Sequence, residues 1–250
     1  VYVIARIVVF QDPVLAEARP DLAIHRVSDS ASLWQDNSGL AWIDPAAKEP
    51  WEYTVAIAKD AFGVGFDEVN FDYVRFPSDG DLKDMAFPMM DATSKESEVM
   101  RAFFSYLREQ LPQATLSVDL FGLSAVDGDV GVGQRIEDAY AFFDFVSPMV
   151  YPSHYATGFL GYENPAERPY EVVQYSMKRA LEKLHRLNEL SPTKAKLRPW
   201  LQDFSLGAVY DGGMVRAEID AAKDALGKEY SGFLLWSSDN LYTKEALFAE

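Results

Sequence analysis

Cysteine is absent from these 250 residues, and histidine occurs only three times. A thiolate nucleophile, a disulfide and a cysteine-held zinc or iron–sulfur centre are therefore excluded. His25, His154 and His185 show no HxH spacing, so no transition-metal site, and with it no metal or cofactor, is expected. Basic residues are also scarce. The 23 Lys and Arg face 39 Asp and Glu, a net charge of −16. Nucleic acid is then not an expected partner, because phosphate binding needs clustered Lys and Arg. Long apolar runs are missing too: none approaches the ~20 residues that span a bilayer. Val1–Phe10 lacks a basic n-region and is broken by Arg6, so neither a signal peptide nor membrane insertion is expected of this span. Nothing in the sequence speaks to oligomeric state.

What is present suits one globular domain over residues 1–250. Apolar residues make up 48% of the chain, enough for a sizeable core, and aromatics 14%, high for so acidic a sequence. Aromatic faces with carboxylates suit a sugar site and a neutral or cationic substrate. Six β-rich runs stand out: Val1–Phe10, Glu68–Phe76, Thr115–Phe121, Phe145–Tyr151, Leu197–Phe204 and Gly232–Ser237. They are near-continuously apolar, the mark of strands buried on both faces in a parallel sheet. Helical patterns alternate with them at Trp51–Phe62, Ser94–Leu111, Gln134–Phe143, Pro169–Leu190 and Met214–Leu226, the second opened by Ser94. Alternation of this kind gives an α/β fold. A (β/α)₈ TIM-type barrel is favoured over an open doubly wound sheet, because polar residues gather at the C-terminal ends of the strands and no Gly-rich phosphate loop follows any strand. Only six βα units are evident, with the first two expected upstream or missing. Without them, the strands at Val1–Phe10 and Gly232–Ser237 would be open edges.

The run Gly65-Phe66-Asp67-Glu68-Val69-Asn70-Phe71-Asp72-Tyr73-Val74-Arg75-Phe76-Pro77 resembles the most characteristic segment of DUF4015, a bacterial and archaeal family of glycoside-hydrolase-like domains. Ala5–Asp12, Ser117–Gly122, Ser147–Tyr155 and Arg198–Phe204 agree in order and spacing, so the resemblance spans essentially the whole chain. Asn70 stands where that family more often has Gln. The resemblance implies a TIM-barrel glycosidase acting on a polysaccharide or amino-sugar polymer, in an extracytoplasmic or cell-envelope setting, with Val1–Phe10 as about the third barrel strand.

Glycoside hydrolysis usually needs two carboxyl groups facing one sugar. Strand alternation puts Asn70, Asp72 and Val74 on one face and Phe71, Tyr73 and Arg75 on the other. An Asp in so apolar a strand must reach a polar cavity or a partner, and a salt bridge to Arg6 is the structural alternative for Asp72. Asp119, with Ser117 on its own face, ends the next strand in sequence, which normally lies beside the Asp72 strand; a buried Asp bonded to backbone or hydroxyl is its alternative. By analogy with related clans, Asp72 is expected as nucleophile and Asp119 as acid/base. Asp203 competes for the second role, against a plain loop or cap Asp. Arg6, Asn70, Arg75, Tyr151, His154, Trp200, Gln202, Asp203 and Trp236 are expected to bind substrate, although Trp200 and Trp236 could equally be core. Trp42 is expected as a lid residue, Asp12 as a turn or cap residue, and Glu68 as lying at the wrong end of its strand. A carbohydrate-binding barrel without turnover remains the second reading.

Overall fold

The computed structural model describes residues 1–247. The chain forms two compact units, one of Val1–Asp119 with Asp129–Phe143, the other of Leu120–Gly128 with the chain from Asp144 onward. Each is a series of parallel strands alternating with helices, the organisation of a (β/α) barrel.

In the first unit, β1 (Ile4–Val8) pairs in parallel with β2 (Glu68–Asp72), and β2 with β3 (Leu116–Phe121). The β1 register sets Ile4, Arg6 and Val8 against Glu68, Asn70 and Asp72, while Asn70 lies against Ser117 of β3. One face of this sheet is therefore polar. The other is apolar and meets α1 (Lys48–Gly63) and α2 (Glu96–Gln110). Phe71 packs edge-on to Phe143, Phe143 to Phe104, and Phe103 against both Phe10 and Trp51. Phe10, Phe71, Phe103 and Phe104 are fully buried. At ~1.5–3 kcal/mol for each such side chain, this aromatic layer is a substantial part of the unit's hydrophobic stabilisation. The α2 N-terminus differs from the sequence reading: the helix begins at Glu96, and its Glu98 carboxylate accepts the Lys95 backbone N–H, so Ser94 does not open it.

Two strands and one helix fall short of the runs that predict them. β1 stops at Val8 and β2 at Asp72. Tyr73 takes a left-handed backbone (φ 53°), which ends the alternation that put Tyr73 and Arg75 on one strand face. The helix expected over Gln134–Phe143 is five residues long, Ile136–Tyr140, and Phe142 and Phe143 close back as turns onto the Ala139 carbonyl.

In the second unit, β4 (Phe145–Met149) pairs in parallel with both Lys196–Leu197 and β5 (Trp200–Gln202), and β5 with β6 (Leu234–Trp236). The expected strand Leu197–Phe204 is thus two short pieces flanking Pro199, which has no N–H for the ladder. α3 (Pro169–Leu190) and α4 (Gly212–Leu226) bury their apolar faces, among them Val172, Met177 and Leu184 on one and Val215, Ile219 and Leu226 on the other. Gly122 opens the turn after β3 because a Cβ there would stand 2.4 Å from the Met149 carbonyl oxygen. Among the described residues, β1 pairs with β2 alone and β6 with β5 alone. No helix among the described residues is long and apolar enough to cross a membrane.

The long segment 11–50 is not a free loop. Asp12 caps the short helix Pro13–Ala18 by accepting the Leu15 N–H, and His25–Arg26 pairs antiparallel with Met85–Ala86. Asp36 accepts from Gln11, Ser38, Leu40 and the Trp42 indole. Burial opposes its charge, and these donors overcome that cost and lower its pKa. Trp42 is thereby sealed in the core at 1% exposure, which overturns its expected use as a lid.

Candidate active site

The polar face of β1, β2 and β3 carries five functional groups in two rows. Arg6 projects from β1, Asn70 and Asp72 from β2, and Ser117 and Asp119 from β3. The Arg6 guanidinium holds the Asp72 carboxylate through Nη2 and reaches the Asp119 carboxylate with Nε at 3.9 Å. One cation thus spans two carboxyl groups at the C-terminal ends of neighbouring parallel strands. Asp72 and Asp119 are almost fully buried, whereas about a third of the Arg6 side chain (35%) meets solvent. The Asp72–Arg6 salt bridge that was the structural alternative is formed.

Asn70 fixes the second carboxylate. Its amide Nδ2 donates to Asp119 Oδ1 at 2.8 Å and to Ser117 Oγ at 3.0 Å. Its Oδ1 is buried without a hydrogen-bond partner among the described residues, an arrangement that costs free energy unless something donates to it. Below it, Ser117 Oγ donates to Glu68, which also accepts from the Tyr2 hydroxyl at 2.9 Å. Glu68 does sit at the N-terminal end of β2, as the sequence indicates. It nonetheless shares the face of Asn70 and Asp72 and is fully buried, a role the sequence reading missed although strand parity signals it.

Local backbone strain borders Asp72. Tyr73 donates its N–H to Asp72 Oδ1 at 2.7 Å, and its carbonyl accepts from Phe10 at 3.3 Å. A left-handed non-glycine residue costs ~1–3 kcal/mol and concentrates at functional sites. Beyond it, Arg75 is buried, donates to the Phe76 carbonyl at 3.0 Å, and lies over the Trp42 and Tyr73 rings at 4.9 and 5.2 Å. Burial lowers its pKa against the pull of Tyr73, Asp72, Asp79 and Asp36.

The remaining candidates belong to the second unit. Gln202 is buried at the end of β5, where its Oε1 accepts from Ser153 N–H and Oγ at 3.2 and 2.8 Å and its Nε2 donates to the Phe204 carbonyl. Ser153 Oγ also meets His154 Nδ1 at 3.0 Å. The His154 ring packs edge-on to Tyr151 and near Phe204, and the desolvation lowers its pKa. Trp200 and Trp236 lie edge-on at 6.0 Å, both half-buried. Asp203 accepts from Thr243 N–H at 2.8 Å and Oγ1 at 2.7 Å, the bonding of a loop-tying carboxylate. Beneath this group lies Glu218 of α4, which the sequence gave no reason to single out. Fully buried, it accepts from Gln202 N–H and Tyr210 OH at 2.7 Å each. Burial raises its pKa well above the ordinary range, against those two bonds. Among the described residues, no three His, Asp or Glu are gathered to hold a metal ion.

Against known proteins, the family described as "DUF4015: Putative glycosyl hydrolase domain" matches residues 1–242, and the chain belongs to it. No curated protein matches. A hypothetical protein from Ruminiclostridium thermocellum is 44% identical over 48% of this chain and 58% of its own, with a TM-score of 0.43. Bee venom hyaluronidase, solved with a hyaluronic acid tetramer, aligns over 98% of this chain and 82% of its own at 15% identity and a TM-score of 0.51. The glycoside hydrolase domain of PelA from Pseudomonas aeruginosa aligns over 95% and 79% at 12% identity and 0.51. The last two share the fold, that of TIM-barrel glycoside hydrolases. The chain spans about half the length of the solved proteins it matches first.

Proposed function

We propose, with membership of this glycosyl hydrolase family as the premise, that the chain cleaves O-glycosidic bonds of a polysaccharide or amino-sugar polymer with Asp72 and Asp119. The observation that carries this reading is the single Arg6 guanidinium between the two carboxyl groups at the strand ends. Asp72, held directly by that cation, is the nucleophile: its oxygen bonds to the anomeric carbon as the glycosidic bond breaks. Asp119, deeper and oriented by Asn70, gives its proton to the leaving oxygen and then takes one from the water that releases the sugar. Arg6 offsets the negative charge that the two carboxyl groups share across the cycle. The left-handed Tyr73 holds Asp72 at one rotamer through its N–H. Taken by itself, the second unit offers in His154, Trp200, Gln202 and Trp236 hydroxyl-bonding and ring surfaces of the kind that suit sugar, while Asp203 serves the Thr243 loop.

The salt bridge itself favours the second reading, a carbohydrate-binding barrel in which Asp72 is a structural partner of Arg6. Glycan libraries screened for hydrolysis separate the two. With a cleaved glycan in hand, Asp72→Asn should lose roughly 10³-fold or more in turnover while glycan binding and the melting midpoint persist. A folded Asp72→Asn protein that still hydrolyses would overturn the catalytic role; binding without cleavage by the unaltered chain would establish the second reading.

A further inference from the structure

The second unit holds a cavity of about 560 Å³ at the N-terminal ends of its strands, the end away from Gln202 and Asp203. Phe145, Leu184, Leu197 and Leu226 line it together with Thr193, Tyr230 and Ser231, and the rim carries Lys194, Lys196 and Lys228. In a chain with 39 acidic residues and 23 basic ones, three lysines around one opening are a local reversal of sign. The single acidic lining residue, Glu229, is engaged by His185 at 2.5 Å. Lys196 lies 6.0 Å from the Phe145 ring. Lys194 and Lys228 are exposed. The volume falls within the ~300–1,000 Å³ of small-molecule pockets.

We propose that this cavity binds a small organic anion with an apolar body. The body seats against Phe145, Leu184, Leu197 and Leu226, and the anionic head meets Lys194 and Lys228. Lysines near helix C-termini also complement the negative end of the helix dipole, and Lys228 lies two residues beyond α4. That use needs no apolar cavity under the charges. It would show in stability, whereas a ligand site shows in affinity.

The test uses the full chain, well below its melting midpoint, titrated with 8-anilinonaphthalene-1-sulfonate as the apolar anion. Saturable binding of one equivalent is expected, weakening as salt rises. Lys194→Glu with Lys228→Glu should weaken it about tenfold or more at an unchanged midpoint. Thr193→Trp, which fills the rim, should abolish it. The uncharged N-phenyl-1-naphthylamine should bind more weakly and ignore both salt and the lysine changes. Absence of saturable binding, equal affinity in the double lysine variant, or equal binding of the neutral probe would each overturn the proposal. So would a double variant that melts lower while binding the anion unchanged.

Discussion

Tyr73 stands where the chain turns out of β2, directly after the proposed nucleophile, and no glycine relieves its left-handed backbone. The ring gains an edge contact with Trp42 at 5.9 Å and lies under Arg75, which helps to hold that conformation against its cost. Comparing two truncations separates ring from backbone. Tyr73→Ala and Tyr73→Gly both lose the ring contacts, but only glycine takes a positive φ without a Cβ clash. Urea denaturation should therefore find the Gly variant more stable than the Ala variant by roughly 1 kcal/mol, the reverse of the order at an ordinary strand position. The ordinary order would mean that residue 73 is not held left-handed. Strand parity made Asn70 and Asp72 legible as one polar stripe. Nothing about a tyrosine in the sequence announces a left-handed turn, so the apolar run alone carries the expected strand on to Phe76. Glu68 obeys the same parity, yet the position of its Cα at the foot of the strand says nothing about the hydrogen bonds its carboxylate finds from Tyr2 and Ser117.

Among the elements, α3 was readable to its ends: Pro169 fits the first helical turn, where a missing N–H costs nothing, and the apolar spacing runs unbroken to Leu190. Five residues of Gln134–Phe143 became helix because burial of Ile136, Ala139, Tyr140 and Phe143 is reached through a turn as easily as through a longer helix. Tertiary packing also hid Glu218. Its spacing on α4 reads as helix surface, yet it lies under β5 and takes the Gln202 N–H. The raised pKa has a consequence with a definite sign. The folded state binds this proton more tightly than the unfolded chain, so stability is unaffected below the ordinary carboxyl value of 4.5 and falls as pH rises above it, until the folded-state value is passed. Glu218→Gln removes that titration. Melting midpoints of the two proteins, followed upward from pH 4, should therefore converge or cross in favour of the Gln variant as pH rises. A gap that stays constant with pH would show that Glu218 does not bind its proton more tightly in the fold.

For the whole molecule, a net charge of −16 sets how polymers approach. Screening lengths of ~8 Å at physiological salt leave a small ligand governed by the nearest charged groups, whereas an extended polymer samples the summed field. Lysines at one cavity rim can therefore favour a small anion without making the surface attractive to a polyanion. At the proposed active site Arg6 is taken up by the carboxyl groups of Asp72 and Asp119. A polysaccharide rich in carboxylates or sulfates thus meets repulsion along its path and finds little compensating charge at its end. Neutral and amine-bearing glycans meet none, and protonated amines are drawn in. Co-sedimentation at low salt should accordingly retain the protein on chitosan roughly tenfold more than on a uronic-acid polymer such as alginate. Neutral glycans should be insensitive to ionic strength, and the difference between the charged polymers should shrink as salt is raised. Equal or stronger retention on alginate at low salt would show that a local basic surface outweighs the field of the whole chain, and the expected preference for neutral or cationic substrates would fall with it.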